Sequence, residues 1–400
     1  MVQRTLRVVC CGYQGWCSQQ QDVQLMRAAF AADRLLFVEP QTPAERAAGG
    51  SSEGWWSTLA GNCLEQAGSH TWRLTPPPLL PTMTRVFPGP LGNRAAYQSI
   101  RASKSLMRLA VRRALNRLGW APDILFVYHP YDLLQVGALG EKMSCWRIFD
   151  EVALLPGYRT LGGAIARIEE ERSRRCTYLL ASSRSQFENR RRSDGSCRLF
   201  PNAVNFSHYH RAHTEKLPEP EDLRGVARPR VAFVGRISEK IDWRLVRHLV
   251  DSGDGHQFVF VGPVDDAVRE AVRRMRRRPN FHLLGARPVE LLPRYLRHLD
   301  VSLVPYVVNE STNTMFVIKV LEHLAAGVPV VSTDLAELRC LDGAAYLART
   351  RGDFARCVDK ALKSKDDRRE LGFRLAREND WSARATVLRE LIEVRLGDGT

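Results

Sequence analysis

Two charged side chains interrupt the otherwise apolar stretch FVIKVLEHLAAGVPVVS, residues 316–332. Lys319 and Glu322 lie three residues apart, so on a helix they share one face. The pattern predicts a helix that begins near Val317 and runs directly into a strand at 328–333. The first turn of such a helix points unpaired N–H groups and the positive end of its dipole outward, which favours anions, and Lys319 adds a full cation there. Glu322, one turn later, can accept two hydroxyl protons. Together they would suit a ligand that carries an anion beside a diol. The alternative is an ordinary i,i+3 surface salt bridge, although a solvent-facing stripe would show further polar residues around the pair.

A chain of 400 residues exceeds the usual size of one hydrophobic core, so two domains of roughly 150–200 residues are expected. Near-continuous apolar runs alternate with helical patterns almost throughout, as in strands covered on both faces. The first set comprises 6–11, 35–39, 124–128, 146–149, 178–182 and 197–200, and the second 230–235, 257–262, 281–285, 301–306, 328–333 and 344–348. These predict two doubly wound parallel-sheet domains, residues 1–208 and 209–378, with the Pro-containing polar segment 213–229 as the linker. Residues 76–92 are too rich in proline for a helix or central strand and are expected to form a loop.

Hydrophobic residues make up 44% and charged residues 26%, and no run reaches the roughly 20 apolar residues of a membrane span. The first residues read directly into a strand, without the apolar segment of a signal peptide, so a cytoplasmic location is expected. The nine cysteines are scattered without a C-x-x-C pair, and no metal site is expected. A formal charge of +15 favours polyanionic partners, but no nucleic-acid motif is present and no nucleic acid is expected. Residues 100–120 read as a basic amphipathic helix, with Ile100, Met107, Val111, Ala114 and Leu118 on one face and Arg101, Lys104, Arg108 and Arg112 on another. Two readings stand: the apolar face meets an anionic membrane, or it packs on the sheet.

Several further residues fall where strands end. Gly235 allows close backbone approach of a ligand, and Arg236 follows it. Tyr306 either stacks on a planar ligand or fills a half-buried core position. The loop 309–315, with Ser311, Thr312 and Asn313, either cradles a ligand or is a solvated connector, and Ile318 opens the Lys319 helix. Gly12 and Gly15, in GYQGW, follow the first strand without the G-x-G-x-x-G spacing of a dinucleotide site.

These residues, in this order and across most of the chain, resemble the two-domain GT-B glycosyltransferases, particularly family 4, with similarity to the xanthan glucuronosyltransferase. The resemblance is carried by LLFVEP (35–40), FDEVALLPGY (149–158), LFPNAVNFSHY (199–209), VAFVGRISEKIDW (231–243), NESTNTMFVIKVLEHLAAGVPVVSTDLAEL (309–338) and NDWSARATVLRELI (379–392). It implies two facing Rossmann-like domains, an acceptor site in the first, a donor site in the second, and a cleft between them. A helix within 379–400 would pack back on the first domain.

The resemblance assigns Lys319 to phosphate and Glu322 to ribose, with Arg236 on the diphosphate. Lys240 lies one residue short of the family's second clamp, and Ile241 replaces the glycine expected after it. The implied donor substrate is a UDP- or GDP-linked sugar, with no cofactor. The implied acceptor is a saccharide or lipid-linked saccharide, reached from the cytoplasmic leaflet if the 100–120 helix docks there. Inverting transfer needs a base. Asp150 follows the strand WRIF and is the candidate, with Glu151 orienting or substituting for it, while His129 is a competing base or an acceptor contact. Asp150 as a helix cap and His129 as a packed polar residue are the structural alternatives. A retaining reaction would need no such base. A nucleotide-sugar epimerase of the same architecture and a noncatalytic binding subunit are the functional alternatives.

Overall fold

Apolar runs bounded by polar turns become short parallel strands buried on both faces, and the helices between them supply the crossovers. The computed structural model describes residues 5–16, 21–41, 63–77, 89–154, 156–252, 255–363 and 368–397. The chain divides into unit 1, Met1–Pro201 with Arg384–Thr400, and unit 2, Asn202–Ala383.

Unit 1 contains β1 (Arg7–Cys11), β2 (Arg34–Val38), β3 (Cys63–Gln66), β4 (Thr71–Thr75), β5 (Ile124–Val127), β6 (Met143–Ile148), β7 (Tyr178–Ala181) and β8 (Cys197–Leu199). Their order in the sheet is β3-β4-β2-β1-β5-β6-β7-β8, and only the β3–β4 pair is antiparallel. The β3–β4 hairpin was not predicted, because CLEQ and TWRLT lack the apolar continuity of the central strands. The end of the chain belongs to this unit: Leu388 and Ile392 are buried, and Arg389 ion-pairs with Asp33.

Unit 2 contains β9 (Arg230–Val234), β10 (Gln257–Val261), β11 (Phe281–Gly285), β12 (Val301–Val304), β13 (Val330–Thr333) and β14 (Tyr346–Ala348), ordered β11-β10-β9-β12-β13-β14 and parallel throughout. Winding reverses between β9 and β12, and in unit 1 between β1 and β5. At such switch points the loops beyond the strand ends diverge and leave a crevice.

The division falls at 201/202, and the segment expected to link domains is packed into unit 2. Leu223 is fully buried, and Arg230 donates to the carbonyls of Val226 and Leu223 at 2.8 and 2.9 Å. Its polar composition disguised these anchors. Most of 76–92 and Cys17 lie outside the described residues.

The basic helix spans Gly89–Leu118, and its apolar face is core: Ile100, Met107, Val111 and Ala114 are buried in unit 1. That face is therefore closed to lipid. Lys104, expected among the basic surface residues, is buried and pairs with the buried Asp132 at 2.6 Å. Arg108 also turns inward and donates to the carbonyl of Leu134 at 2.9 Å. Replacing Lys104 by Ala strands a buried carboxylate and should destabilise the protein by ~3–5 kcal/mol. Replacing Lys104 by Met and Asp132 by Leu together should restore much of that loss, as read from denaturant midpoints.

Candidate functional site

The switch point of unit 2 is built around Lys319. Gly235 directly follows β9 with φ 138°, and Gly262 follows β10 with φ 151°. A Cβ on Gly262 would stand 1.9 Å from the Gly235 carbonyl oxygen, so only glycine lets these strand-end loops touch. The Lys319 Nζ sits 4.1 Å from the centroid of the Phe233 ring and 5.2 Å from that of Tyr306. A Cβ on Gly235 would come within 2.4 Å of that ammonium. The cation thus rests on two aromatic faces beside bare backbone. Among the described residues no carboxylate lies within ion-pair distance of it. An attraction to ring faces of about 0.5–2 kcal/mol holds the side chain in place without neutralising it.

The helix that carries Lys319 spans Lys319–Ala325, with Ile318 as its cap residue. It starts two residues later than expected, and the Val320 N–H is already given to the Val317 carbonyl at 3.1 Å. The cationic side chain, rather than a row of free amides, therefore carries the anion-binding character. His323 anchors the helix: it is buried, its Nδ1 pairs with the Ser302 hydroxyl of β12, and burial together with Lys319 pushes its pKa down to about 3.

Glu322 does not pair with Lys319. The Tyr209 side chain faces its carboxylate and favours the charged form, and the carboxylate keeps lone pairs for a ligand. Tyr209 lies in the helix Phe206–Thr214, whose His210 Nδ1 bonds the Ala325 carbonyl at 3.1 Å. Burial raises the Glu322 pKa, while the Tyr209 hydrogen bond and the Lys319 charge oppose that rise. The tyrosine was not identified as functional from sequence, because FSHYH reads as an ordinary polar helix.

The remaining candidates divide. Arg236 is exposed and pairs with Asp265 at 2.7 Å, so its guanidinium stands at the mouth of the switch point. Tyr306 is buried, and its carbonyl accepts the Thr333 hydroxyl at 2.9 Å; it is the core tyrosine beneath Lys319 rather than a free stacking face. Thr312 is likewise structural. It forms a reciprocal capping box with Asn309 on the short helix Glu310–Asn313, and its hydroxyl also donates to Val307. Asn313 accepts the Ala336 N–H at 3.2 Å, and Ser311 accepts the Thr314 hydroxyl on its carbonyl at 3.1 Å, which leaves the Ser311 side chain as the loop's ligand candidate. Lys240 Nζ lies 3.6 Å from Met315 Sδ, against the same loop. A groove of about 480 Å³ runs along the ends of β12, β13 and β14, lined by Tyr306, Thr333 and Ala348 among others.

In unit 1, His129 follows β5 at the other switch point. It is buried, and its Nδ1 accepts the Tyr131 N–H at 3.2 Å. A neutral imidazole with Nδ1 as acceptor carries its proton on Nε2. Burial, aided by the Lys104 charge, lowers the pKa well below the usual histidine value and keeps the ring neutral. The Nε2 has no partner. His129 is thus arranged to donate a hydrogen bond and not to remove a proton, which sets aside its role as a base. Tyr13 stacks on it with ring centroids 5.7 Å apart, and beside them lies a cavity of about 20 Å³ with room for one water.

Asp150 stands half-buried just beyond β6. Glu151 is occupied: Arg190 donates to both its oxygens at 2.7 and 2.8 Å and also reaches Glu169 at 3.3 Å. Both of its oxygens are thus taken up by one guanidinium fork, which holds Glu151 in a structural ion pair. The GYQGW loop is held by a residue not anticipated from sequence, the buried Asp22, which accepts the N–H groups of Tyr13 and Gln14 at 2.8 and 3.0 Å.

Comparison with known proteins agrees with this geometry. The architecture matches sucrose-phosphate synthase from Thermosynechococcus elongatus with a TM-score of 0.70 at 15% identity, covering 99% of this chain and 100% of that one. It also matches Anabaena HepE, determined in complex with UDP, with a TM-score of 0.66 at 12% identity, covering 97% and 100% of the two chains. The chain thus has the GT-B fold, with two Rossmann-like parallel-sheet α/β domains. Residues 228–364, within unit 2, match the family model of glycosyl transferases group 1. A putative teichuronic acid biosynthesis glycosyltransferase, TuaH of Bacillus subtilis, is 25% identical over 174 residues, which span 42% of this chain and 44% of that protein.

The Glu322 environment makes a prediction with a definite sign. A carboxyl group whose pKa is raised by folding binds more protons folded than unfolded, so its contribution to stability falls as pH rises from about 4.3, the unfolded value, through the raised folded value. Glu322→Gln removes that penalty while keeping an acceptor for Tyr209. Its Tm should exceed that of the unchanged protein at pH 7.5, and the difference should vanish below about pH 4.

Proposed function

We propose that the chain transfers a sugar from a nucleoside-diphosphate sugar to an acceptor hydroxyl. The observation that carries this reading is the ammonium of Lys319, held at the β9/β12 switch point on two rings with no carboxylate to neutralise it. The diphosphate lies on Lys319 and Arg236, which stabilise the negative charge that develops as the sugar–phosphate bond breaks. The ribose diol donates to Glu322, which Tyr209 orients. Uridine diphosphate is the first nucleotide to test, because HepE was determined with it.

On the acceptor side, Asp150 takes the proton of the attacking hydroxyl as the new glycosidic bond forms and the diphosphate leaves with the old bond's electrons. His129 donates its Nε2 proton to an acceptor oxygen and fixes its position. Where the acceptor is lipid-linked, docking falls to the solvent face of the Gly89–Leu118 helix. There Leu106 and Leu109 are 44% and 51% exposed, and Arg101 and Arg113 flank them. Among the described residues no helix is long and apolar enough to cross a membrane.

Calorimetric titration with UDP and GDP should find one nucleotide bound, and Lys319→Ala should weaken it by roughly 10- to 100-fold, the worth of one charged contact. Asp150→Asn should keep that affinity and abolish turnover. Absence of binding to any nucleoside diphosphate would overturn the reading, and a new sugar nucleotide formed without acceptor would reassign the chain as an epimerase. Leu106→Glu with Leu109→Glu should abolish co-sedimentation with anionic vesicles at low salt without changing nucleotide affinity.

A further inference from the structure

A groove of unit 2 lies away from Lys319, between the helices Trp243–Ser252 and Arg269–Met275, and has a volume of about 770 Å³. Its walls hold Arg244, Arg247, Arg274, Arg277, Arg278 and Arg351, against a single acid, Asp251. The sequence pattern explains the arrangement. Leu245, Val246, Leu249 and Val250 turn the first helix's apolar side to the core, so residues 244, 247, 248 and 251 form its outer stripe. Val272 and Met275 do the same for the second, so Arg274 and the turn at Arg277 and Arg278 face the first helix across the groove.

The local acids do not balance these charges. Asp251 is taken by Arg278 at 2.5 Å and lies 3.9 Å from Arg247, and Glu270 pairs with Arg274 at 2.9 Å. Among the described residues no carboxylate pairs with Arg244, Arg277 or Arg351. Like charges along one helix and across a groove repel, and a surface shaped for stability alone intersperses both signs. An anion that enters the groove relieves this repulsion.

We infer that this groove binds a free, multiply charged phosphate anion, a site separate from the donor site. Guanidinium forks match phosphate oxygens in pairs. A stripe of ten helical residues extends about 15 Å, enough for a chain of two or three phosphate groups. Arg278 is half-buried and the other five arginines are exposed around the groove, so their charge converges on a concave space, which suits a small ligand that enters more than a flat bilayer. The inference does not rest on the proposed transferase activity, since none of Gly235, Arg236, Lys319 and Glu322 lines the groove.

The test is calorimetric titration of the full chain with inorganic tripolyphosphate at about 0.15 M salt, where the exposed charges are screened beyond roughly 8 Å. Tripolyphosphate should bind the unchanged protein and Lys319→Ala alike, because the Lys319→Ala change disables only the donor site. Arg247→Ala, Arg274→Ala and Arg277→Ala combined should lower the affinity at least tenfold, with the Tm and nucleoside-diphosphate affinity retained. The control combination Arg117→Ala, Arg174→Ala and Arg191→Ala, exposed arginines of unit 1, should leave tripolyphosphate affinity unchanged. The inference is overturned by any of four results: no binding, loss in Lys319→Ala alone, equal loss in the control, or groove-dependent binding to phosphatidylserine vesicles without binding to tripolyphosphate.

Discussion

An ammonium held on two ring faces organises the switch point of unit 2. Lys319 stands on Phe233 and Tyr306, and both rings are buried, so its position is fixed from below by the core itself. The space it occupies then dictates its neighbours. Residue 235 must lack a Cβ, and residue 262 must lack one for the adjoining loop to close over residue 235. The helix that supplies the lysine must not shift, and the neutral buried His323 ties it to β12. Each of these supports fixes where the ammonium stands.

Glu322 shows the opposite relation between function and stability. A salt bridge to Lys319 would have stabilised both charges, yet the carboxylate lies beside Tyr209 and forms no salt bridge with Lys319. Each therefore keeps hydrogen-bonding capacity for a ligand, at the cost of a partly desolvated carboxylate. Sites that bind ligands commonly retain such locally unfavourable groups. In unit 1 the same economy appears in His129, whose buried Nε2 has no hydrogen-bond partner among the described residues.

Much of this was legible in the sequence, and the failures have physical causes. The central strands announce themselves as continuous apolar runs because both faces are covered, whereas β3 and β4 form an edge hairpin whose polar residues resemble a loop. Lys319 and Glu322 stood out because charge in an apolar setting is informative. Thr312 looked like a ligand contact because a capping threonine and a binding threonine have the same composition, and only the reciprocal bonds to Asn309 distinguish them. Lys104 was assigned to a solvent-facing stripe, since Asp132, the partner that draws it inward, lies on a different element. Tyr209 was missed for the same reason: its role depends on a carboxylate more than a hundred residues away.

The two sheets share a winding rule but differ in what they present at its reversal. Beyond β9 and β12 the side chains are cationic, Arg236 and Lys319, on aromatic or backbone supports. Beyond β1 and β5 they are a neutral histidine and tyrosine rings, and the nearby charges of Lys104 and Asp132 already cancel one another. A diphosphate gains little from the second environment, because its charge would meet a satisfied pair and a single neutral donor. A sugar hydroxyl gains little from the first, because an ammonium on a ring face attracts charge far more strongly than a dipole. Topology therefore provides two equivalent crevices, and the side chains make that of unit 2 cationic and that of unit 1 close to neutral.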